Sequence, residues 1–235
     1  MSTTKEILLA IQSANQILAI THIGPDGDAF GSLTAVGVAL GQLGKNTTLV
    51  CDDHLPRRFK FLPLTDQVQR TPDLNKIYDL VISVDCGDEM RMGQAYASLP
   101  DPKPFLINID HHVTNTRFGQ INLVGEEAVS TTEVLYDLFT DMGVTLHQDL
   151  SICLLTGLVT DTLSFSTTGV NAKTLKIAGD LVAAGADLAR ITMQALNVKP
   201  ASTLPLWRAG LGNVKTEGGL IWTTISNEER KKSGH

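Results

Sequence analysis

Short apolar runs alternate with amphipathic stretches along the first two thirds of the chain. Buried strands are predicted by four runs rich in Ile, Val and Leu, at 17–23, 47–51, 78–84 and 105–109. Helices are predicted by apolar residues at helical spacing, at 4–15, 32–43, 130–142, 148–160, 172–184 and 188–196. This alternation predicts an α/β fold, a parallel sheet flanked by helices.

The pattern changes after Pro200 and Pro205. Two short apolar runs, 214–216 and 220–226, flank Glu217-Gly218-Gly219 and predict a β-hairpin. We therefore expect three parts: an α/β domain at 1–185, a helical linker at 186–205, and the beginning of a smaller α+β domain at 206–235. A hairpin of roughly 30 residues cannot bury a core alone. Either the second domain is truncated, or the hairpin packs against the first domain.

Carboxylates and imidazoles follow three of the four predicted strands. The first strand has His22 near its end and is followed by Asp26 and Asp28. Asp85 follows the third strand, and Asp110-His111-His112 follow the fourth. In an open α/β sheet, ligands bind outside the carboxyl ends of the strands, so these groups are expected to share one crevice. Carboxylate and imidazole groups hold divalent cations. A metal-dependent hydrolase is the first hypothesis.

Each of these residues also has an ordinary structural explanation. Asp26 and Asp28 suit helix N-caps or turns, Asp85 a solvated strand end, and His22 and His111 structural histidines. Independent structural roles would not be expected to place all five residues at one edge of one sheet. Their shared position therefore favours a metal site. Separately, the second strand ends in Cys51-Asp52-Asp53-His54, either as further ligands or as a polar strand terminus.

Composition and net charge limit the kinds of molecule that the chain is expected to bind. The net charge of −6 and the lack of a basic stripe argue against binding long duplex nucleic acid, but they allow a small phosphorylated substrate. The three cysteines, Cys51, Cys86 and Cys153, have no framework spacing, which is typical of reduced thiols. No uncharged run approaches the ~20 residues of a membrane-spanning helix. We expect a cytoplasmic protein with no membrane partner.

Four segments together resemble the motifs of the DHH phosphoesterase superfamily, which includes RecJ-like enzymes. They are I-T-H-I-G-P-D-G-D-A-F-G-S at 20–32, Val84-Asp85, Asp110-His111-His112 and G-L-V-T-D-T at 157–162. Val113-Thr-Asn115 and Ser130-Thr-Thr-Glu133 resemble one branch, the nano-RNase/pAp phosphatases and cyclic-dinucleotide phosphodiesterases. The second of these segments also has the pattern of a helix capping box. In that branch a smaller DHH-associated domain follows the DHH domain.

The resemblance implies two metal ions and a role for each candidate residue. His22, Asp26 and Asp85 would hold one ion, and the second would be held by Asp28, Asp85, His111 and Asp161. Asp110 would orient an imidazole, His112 would contact the phosphate, and Ser130 is a further candidate for binding substrate. This mixed, fairly hard ligand set suits Mn2+, with Mg2+ or Co2+ as alternatives.

The implied activity is hydrolysis of short oligonucleotides, linear dinucleotides or 3′-phosphoadenosine 5′-phosphate (pAp). Two alternatives remain open: an inorganic pyrophosphatase or exopolyphosphatase, and a weakly active nucleotide-binding module. Related sequences often carry an Arg at the position of Ser166, which leaves the phosphate contact unassigned. Arg57, Arg58 and Arg117 are candidate substitutes, although solvated surface charges explain them better. The resemblance leaves a homodimer open.

Overall fold

The structure is a computed structural model that describes residues 2–197, 201 and 203–233. Its backbone forms two compact units, Met1–Leu196 and Asn197–His235. Residues 198–200 and 202 belong to the predicted linker and lie outside the described residues. Within the described part of the chain, no helix combines the length and apolarity needed to cross a membrane.

A five-stranded parallel sheet organises the first unit, in the order β2-β1-β3-β4-β5. Its strands are β1 (Ile17–Ile20), β2 (Thr47–Val50), β3 (Leu80–Val84), β4 (Phe105–Asp110) and β5 (Ile121–Val124). The α/β prediction is confirmed. β5 was not predicted, because its four residues alternate only partly and none of them is fully buried.

Seven α-helices connect and cover these strands. They are α1 (Thr3–Ser13), α2 (Gly27–Gln42), α3 (Gly93–Ala97), α4 (Thr131–Asp141), α5 (Gln148–Asp161), α6 (Ala172–Ala183) and α7 (Leu188–Thr192). Short 3₁₀ turns lie at Arg57–Phe59 and Glu89–Met92, and a π-helical segment at Met193–Asn197 continues α7. The predicted helix at 188–196 is thus an α-helical turn followed by a π-helical segment.

Successive strand residues point into two different cores. Ile17 and Ala19 of β1 pack into the larger cluster with α2 and α5, whereas Leu18 and Ile20 face the smaller cluster around Met92. All four residues are completely buried. A sheet covered on both faces explains the continuous apolar runs, since neither face contacts water.

The start of α2 departs from the prediction. Apolar spacing places the helix at 32–43, but α2 begins at Gly27 because the Asp26 carboxylate accepts hydrogen bonds from the amides of Asp28 and Ala29, both at 3.0 Å. β1 in turn ends at Ile20, before the predicted end at residue 23, and residues 21–26 form a short connection to the helix. Asp28 therefore lies in the first turn of α2.

The second unit contains α8 (Thr203–Gly212), β6 (Lys215–Glu217), β7 (Leu220–Trp222) and α9 (Asn227–Lys232). The antiparallel β6–β7 pair confirms the predicted hairpin. The first strand is shifted by one residue from its predicted position, and the second is shorter than predicted. α9 begins at a capping box in which Ser226 and Glu229 exchange hydrogen bonds. Whether this unit begins a DHH-associated domain stays a prediction.

Candidate metal centre

The candidate site lies at the point where the sheet changes its winding direction. From β1 the chain passes to β2 on one side, and then to β3 on the other side of β1. The connections leaving β1 and β3 therefore diverge and open a crevice at the carboxyl edge of the sheet. The residues predicted as ligands after β1, β3 and β4 all lie around this crevice.

Asp85 occupies the centre of the site. It follows β3 with φ 61°, a left-handed conformation that Asp tolerates better than most residues. Its Oδ2 lies 3.3 Å from His22 Nε2, and its Oδ1 lies 3.9 Å from His111 Nε2. Oδ1 also accepts a hydrogen bond from the Thr131 hydroxyl at 2.8 Å. The two oxygens of one buried carboxylate thus face two different imidazoles.

Asp26 and Asp28 both accept hydrogen bonds from backbone amides, but Asp26 is exposed and Asp28 is buried. Oδ1 of Asp26 caps α2, while the residue as a whole is exposed. Asp28 is completely buried, and its oxygens accept hydrogen bonds from the amides of Thr131 at 2.6 Å and Thr132 at 3.1 Å. These amides belong to the first turn of α4, where unpaired N–H groups favour a carboxylate.

Electrostatic repulsion makes the buried carboxylates costly in the absence of a cation. Burial raises the pKa of Asp28 well above its ordinary value, and the nearby charges of Asp85 and Asp161 add to this shift. Burial likewise raises the pKa of Asp161, with Asp85 adding to the effect. A divalent cation among these groups would relieve the repulsion.

His111 provides a test of whether a metal ion fits. Its Nδ1 lies 3.2 Å from the carbonyl oxygen of Ala128, so we assign the proton to Nδ1. Its Nε2 is buried and has no hydrogen-bond partner among the described residues. It lies 3.3 Å from Asp161 Oδ2 and 4.0 Å from Asp28 Oδ2. Burial lowers the pKa of His111, but the surrounding carboxylates outweigh it and raise the pKa to about 10. A nitrogen held in this environment fits a cation.

Close packing of α2 against α5 brings Asp161 to the site. A Cβ on Gly31 would lie 2.7 Å from the Cys153 carbonyl oxygen, and a Cβ on Gly157 would overlap Asp28 Oδ1. The glycines therefore allow the two helices to approach more closely than larger residues would. Because the helices run antiparallel, the end of α5 meets the beginning of α2, and Asp161 lies beside Asp28.

A second network holds Asp110 and His112. The completely buried Asp110 carboxylate accepts hydrogen bonds from His112 Nδ1 at 2.8 Å and Asn115 Nδ2 at 2.6 Å. Burial raises the pKa of Asp110, but these two donors outweigh it and the net shift is downward. The hydrogen bond that His112 donates to Asp110 in turn raises the pKa of His112. The His112 side chain is 40% exposed, and the hydrogen bond from Nδ1 to Asp110 orients its ring.

The six predicted ligands form two groups of three, and within each group the ligand atoms lie within 4.8 Å of one another. One group is His22, Asp26 and Asp85, and the other is Asp28, His111 and Asp161. A third group, Asp85, Asp110, His111 and His112, overlaps with both sets of contacts. The arrangement is therefore one cluster of carboxylates and imidazoles with Asp85 in the middle.

Other candidates from the sequence lie outside these groups. Asp53 accepts a hydrogen bond from the Gly24 amide at 2.6 Å, and Asp52 accepts one from the Gln94 amide at 2.8 Å. Both brace loops beside the site. Ser130 is completely buried, and its hydroxyl caps α4 by accepting from the Glu133 amide. Glu133 does not return the bond of a full capping box, because its carboxylate contacts Lys173 and Thr174.

Sequence reasoning did not assign roles to three residues that the structure places beside the ligands. Asn115 holds Asp110, the Thr131 hydroxyl bonds Asp85, and Arg91 Nη2 lies 2.9 Å from His22 Nδ1. Asn115 and Thr131 lie within the two segments that resemble one branch of the DHH superfamily, but the resemblance assigned no function to either residue. Arg91 carries no sequence signal.

Replacing Thr131 with Val tests the support of Asp85. The Val side chain keeps the shape but removes the hydroxyl that donates to Asp85, and supporting contacts of this kind are worth about 10- to 100-fold in metal affinity or activity. We expect Mn2+ affinity, measured by calorimetric titration, to decrease by about 10- to 100-fold. Thr156→Val is the control, because within the described part of the chain the Thr156 hydroxyl bonds only the Ile152 carbonyl of its own helix. Equal affinities in both variants would contradict the assigned contact.

Comparison with known proteins places this fold and site in context. A family model described as "DHH family, N-terminal domain" matches residues 16–158. The bifunctional oligoribonuclease and PAP phosphatase NrnA of Thermus thermophilus is 32% identical over 97% of this chain, which spans 68% of that protein. A probable manganese-dependent inorganic pyrophosphatase of Streptococcus mutans is 25% identical over 74% of the chain and 57% of the relative.

A crystal structure of an exopolyphosphatase-related protein from Bacteroides fragilis superposes with a TM-score of 0.86. It is 23% identical and the match covers 99% of this chain and 72% of that one, so the likeness concerns the fold. Fold and site together define an α/β protein with a carboxylate–imidazole centre for divalent metal ions. The chain belongs to the DHH family, and within the DHH phosphoesterases to the nano-RNase/pAp phosphatase branch.

Proposed function

We propose that the chain is a Mn2+-dependent phosphoesterase that hydrolyses short oligonucleotides, linear dinucleotides or pAp. Membership of the DHH phosphoesterases makes it a metal-dependent hydrolase of phosphoester bonds. The specific substrates rest on the 32% identical relative, whose name gives an oligoribonuclease and a PAP phosphatase. The choice of Mn2+ rests on the manganese-dependent relative and on the mixed nitrogen and oxygen donors of the site.

The position of Asp85 carries this proposal. One of its oxygens faces His22 and the other faces His111, and each imidazole belongs to a different group of candidate ligands. A carboxylate in that position suits a shared ligand between two cations. His22, Asp26 and Asp85 would hold one ion, and Asp28, Asp85, His111 and Asp161 the other.

Bound divalent cations would supply a nucleophilic water at neutral pH and neutralise charge on the phosphate. The protein's own residues supply position and protons. Asp110 fixes the proton of His112 on Nδ1, and by raising the pKa of His112 it favours a second proton on Nε2. His112 is then suited to donate from Nε2 to a phosphate oxygen or to the departing oxygen.

Activity assays with four substrates test the proposed function. We expect the purified chain with Mn2+ to hydrolyse the dinucleotide pApA and pAp, and to be inactive after treatment with a chelator. Long duplex DNA should not be hydrolysed, because a net charge of −6 opposes binding. Release of phosphate from pyrophosphate, with neither nucleotide cleaved, would instead favour the pyrophosphatase alternative.

A further inference from the structure

Arg91 lies on the 3₁₀ turn that follows β3, beside the candidate metal centre. The Asp88 carboxylate caps this turn by accepting from the Arg91 amide at 3.2 Å. The Arg91 carbonyl oxygen accepts from the Ile23 amide at 2.8 Å, which joins the turn to the connection that carries His22. The backbone of Arg91 is thus fixed next to a candidate metal ligand, and its side chain is half-buried.

The Arg91 side chain makes a contact that metal binding would disrupt. His22 Nδ1 lies 2.8 Å from the Ile23 carbonyl oxygen and 2.9 Å from Arg91 Nη2. The carbonyl requires a proton on Nδ1, whereas a guanidinium donor requires a lone pair there. One nitrogen cannot satisfy both. If His22 binds a metal through Nε2, Nδ1 carries the proton and bonds the carbonyl, which leaves Arg91 without this acceptor.

Arg91 also differs from the arginines considered from the sequence. Arg117 pairs with Glu126 at 2.8 Å, and Arg58 stacks over the Phe59 ring at 4.7 Å. Within the described residues, no carboxylate lies in ion-pair distance of Arg91. A half-buried guanidinium without a charged partner is unfavourable unless an anion binds to it.

The balance of charges at the site favours a phosphate of the substrate as the anion that Arg91 binds. Asp26, Asp28, Asp85 and Asp161 carry four negative charges, which two divalent cations would neutralise. The loaded ligand cluster would then have no net charge to attract a phosphorylated substrate. Arg91 supplies a positive charge on the Nδ1 side of His22, while the candidate metal ligands lie on its Nε2 side.

We propose that Arg91 binds the second, non-scissile phosphate of the substrate and so selects substrates with a terminal phosphate. The inference rests on the proposed function, since it assumes that the scissile phosphate lies at the metal ligands. It also supplies a phosphate-binding arginine in a chain that has Ser166 where related sequences often have Arg.

Hydrolysis of the dinucleotides pApA and ApA by Arg91→Gln tests this role. The two substrates share the scissile bond and differ only in the terminal 5′-phosphate. Loss of a charge-assisted hydrogen bond is worth about 10- to 100-fold in affinity, so KM for pApA should rise by that factor. The rise for ApA should be several-fold smaller. Arg117→Gln is the matched control, because it removes a surface arginine paired with Glu126, and it should behave as wild type.

Calorimetric titration of Mn2+ provides a second measurement that does not depend on turnover. Arg91→Gln should bind Mn2+ as tightly as wild type. A loss of Mn2+ affinity, or an equal rise in KM for both dinucleotides, would make Arg91 a support for His22 and overturn the proposal. Unchanged KM for pApA would also overturn it. If wild type cleaved neither dinucleotide nor pAp, the proposed function would fail and this inference with it. If it cleaved pAp alone, the same rise in KM is expected for pAp in Arg91→Gln, and an unchanged KM would overturn the inference.

Discussion

Asp85→Asn is expected to abolish phosphoester hydrolysis while leaving the fold intact. Asn has nearly the same shape, and its side-chain oxygen can still accept from the Thr131 hydroxyl, but it cannot give two anionic oxygens to two cations. Losing a shared ligand removes several kcal/mol of transition-state stabilisation. We therefore expect kcat/KM for pApA to fall by about a thousandfold or more.

Two further measurements separate a lost ligand from a damaged structure. The circular dichroism spectrum of Asp85→Asn should match wild type, and its metal-free melting temperature should be equal or higher, because one of several buried like charges is removed. Asp66→Asn is the control, since Asp66 is exposed and outside the candidate groups. If Asp85→Asn retained activity with normal Mn2+ binding, Asp85 would not be the shared ligand.

Gly157→Ala is expected to weaken both the fold and the metal centre. The new Cβ would overlap Asp28 Oδ1 and the Thr132 side chain, and both neighbours are held by the first turn of α4. Overpacking of this kind costs about 1–3 kcal/mol, which exceeds the gain of up to about 1 kcal/mol from replacing a helical glycine. We expect a lower free energy of unfolding in urea and weaker Mn2+ binding.

The same substitution at Gly179 is the matched control. Gly179 lies within α6, and among the described residues a Cβ there would meet no atom outside its own helix within 4 Å. Gly179→Ala should therefore stabilise the protein by up to about 1 kcal/mol without changing Mn2+ affinity. Wild-type stability and Mn2+ binding in Gly157→Ala would contradict the close approach of α2 and α5.

Local sequence patterns were sufficient for much of the fold. Four of the five strands and the longer helices were predicted because buried parallel strands read as continuous apolar runs and helices as spaced ones. β5 was missed because an edge strand of four partly buried residues lacks that pattern. The helix start at Gly27 was missed because it depends on the Asp26 cap and not on apolar spacing.

The residues of the candidate site were likewise predicted only in part. The chemical types of the ligands and their positions at strand ends are local, so the sequence indicated His22, Asp85 and His111 directly. Asp161 required a resemblance, because nothing near it in the chain explains a carboxylate at the end of an apolar helix. Arg91 was not predicted, since its significance lies in one contact with a residue 69 positions away.

The sequence by itself determined an α/β sheet whose strands end in carboxylates and imidazoles, because strand burial and ligand chemistry depend on neighbouring residues. Only the tertiary structure decided how these groups meet. The α4 amides that hold Asp28 are more than 100 residues from it, and the glycines that admit α5 act only when two helices pack. Contacts between distant segments leave no periodic trace in the sequence. The shared position of Asp85 and the contact of Arg91 therefore emerge only from the folded chain.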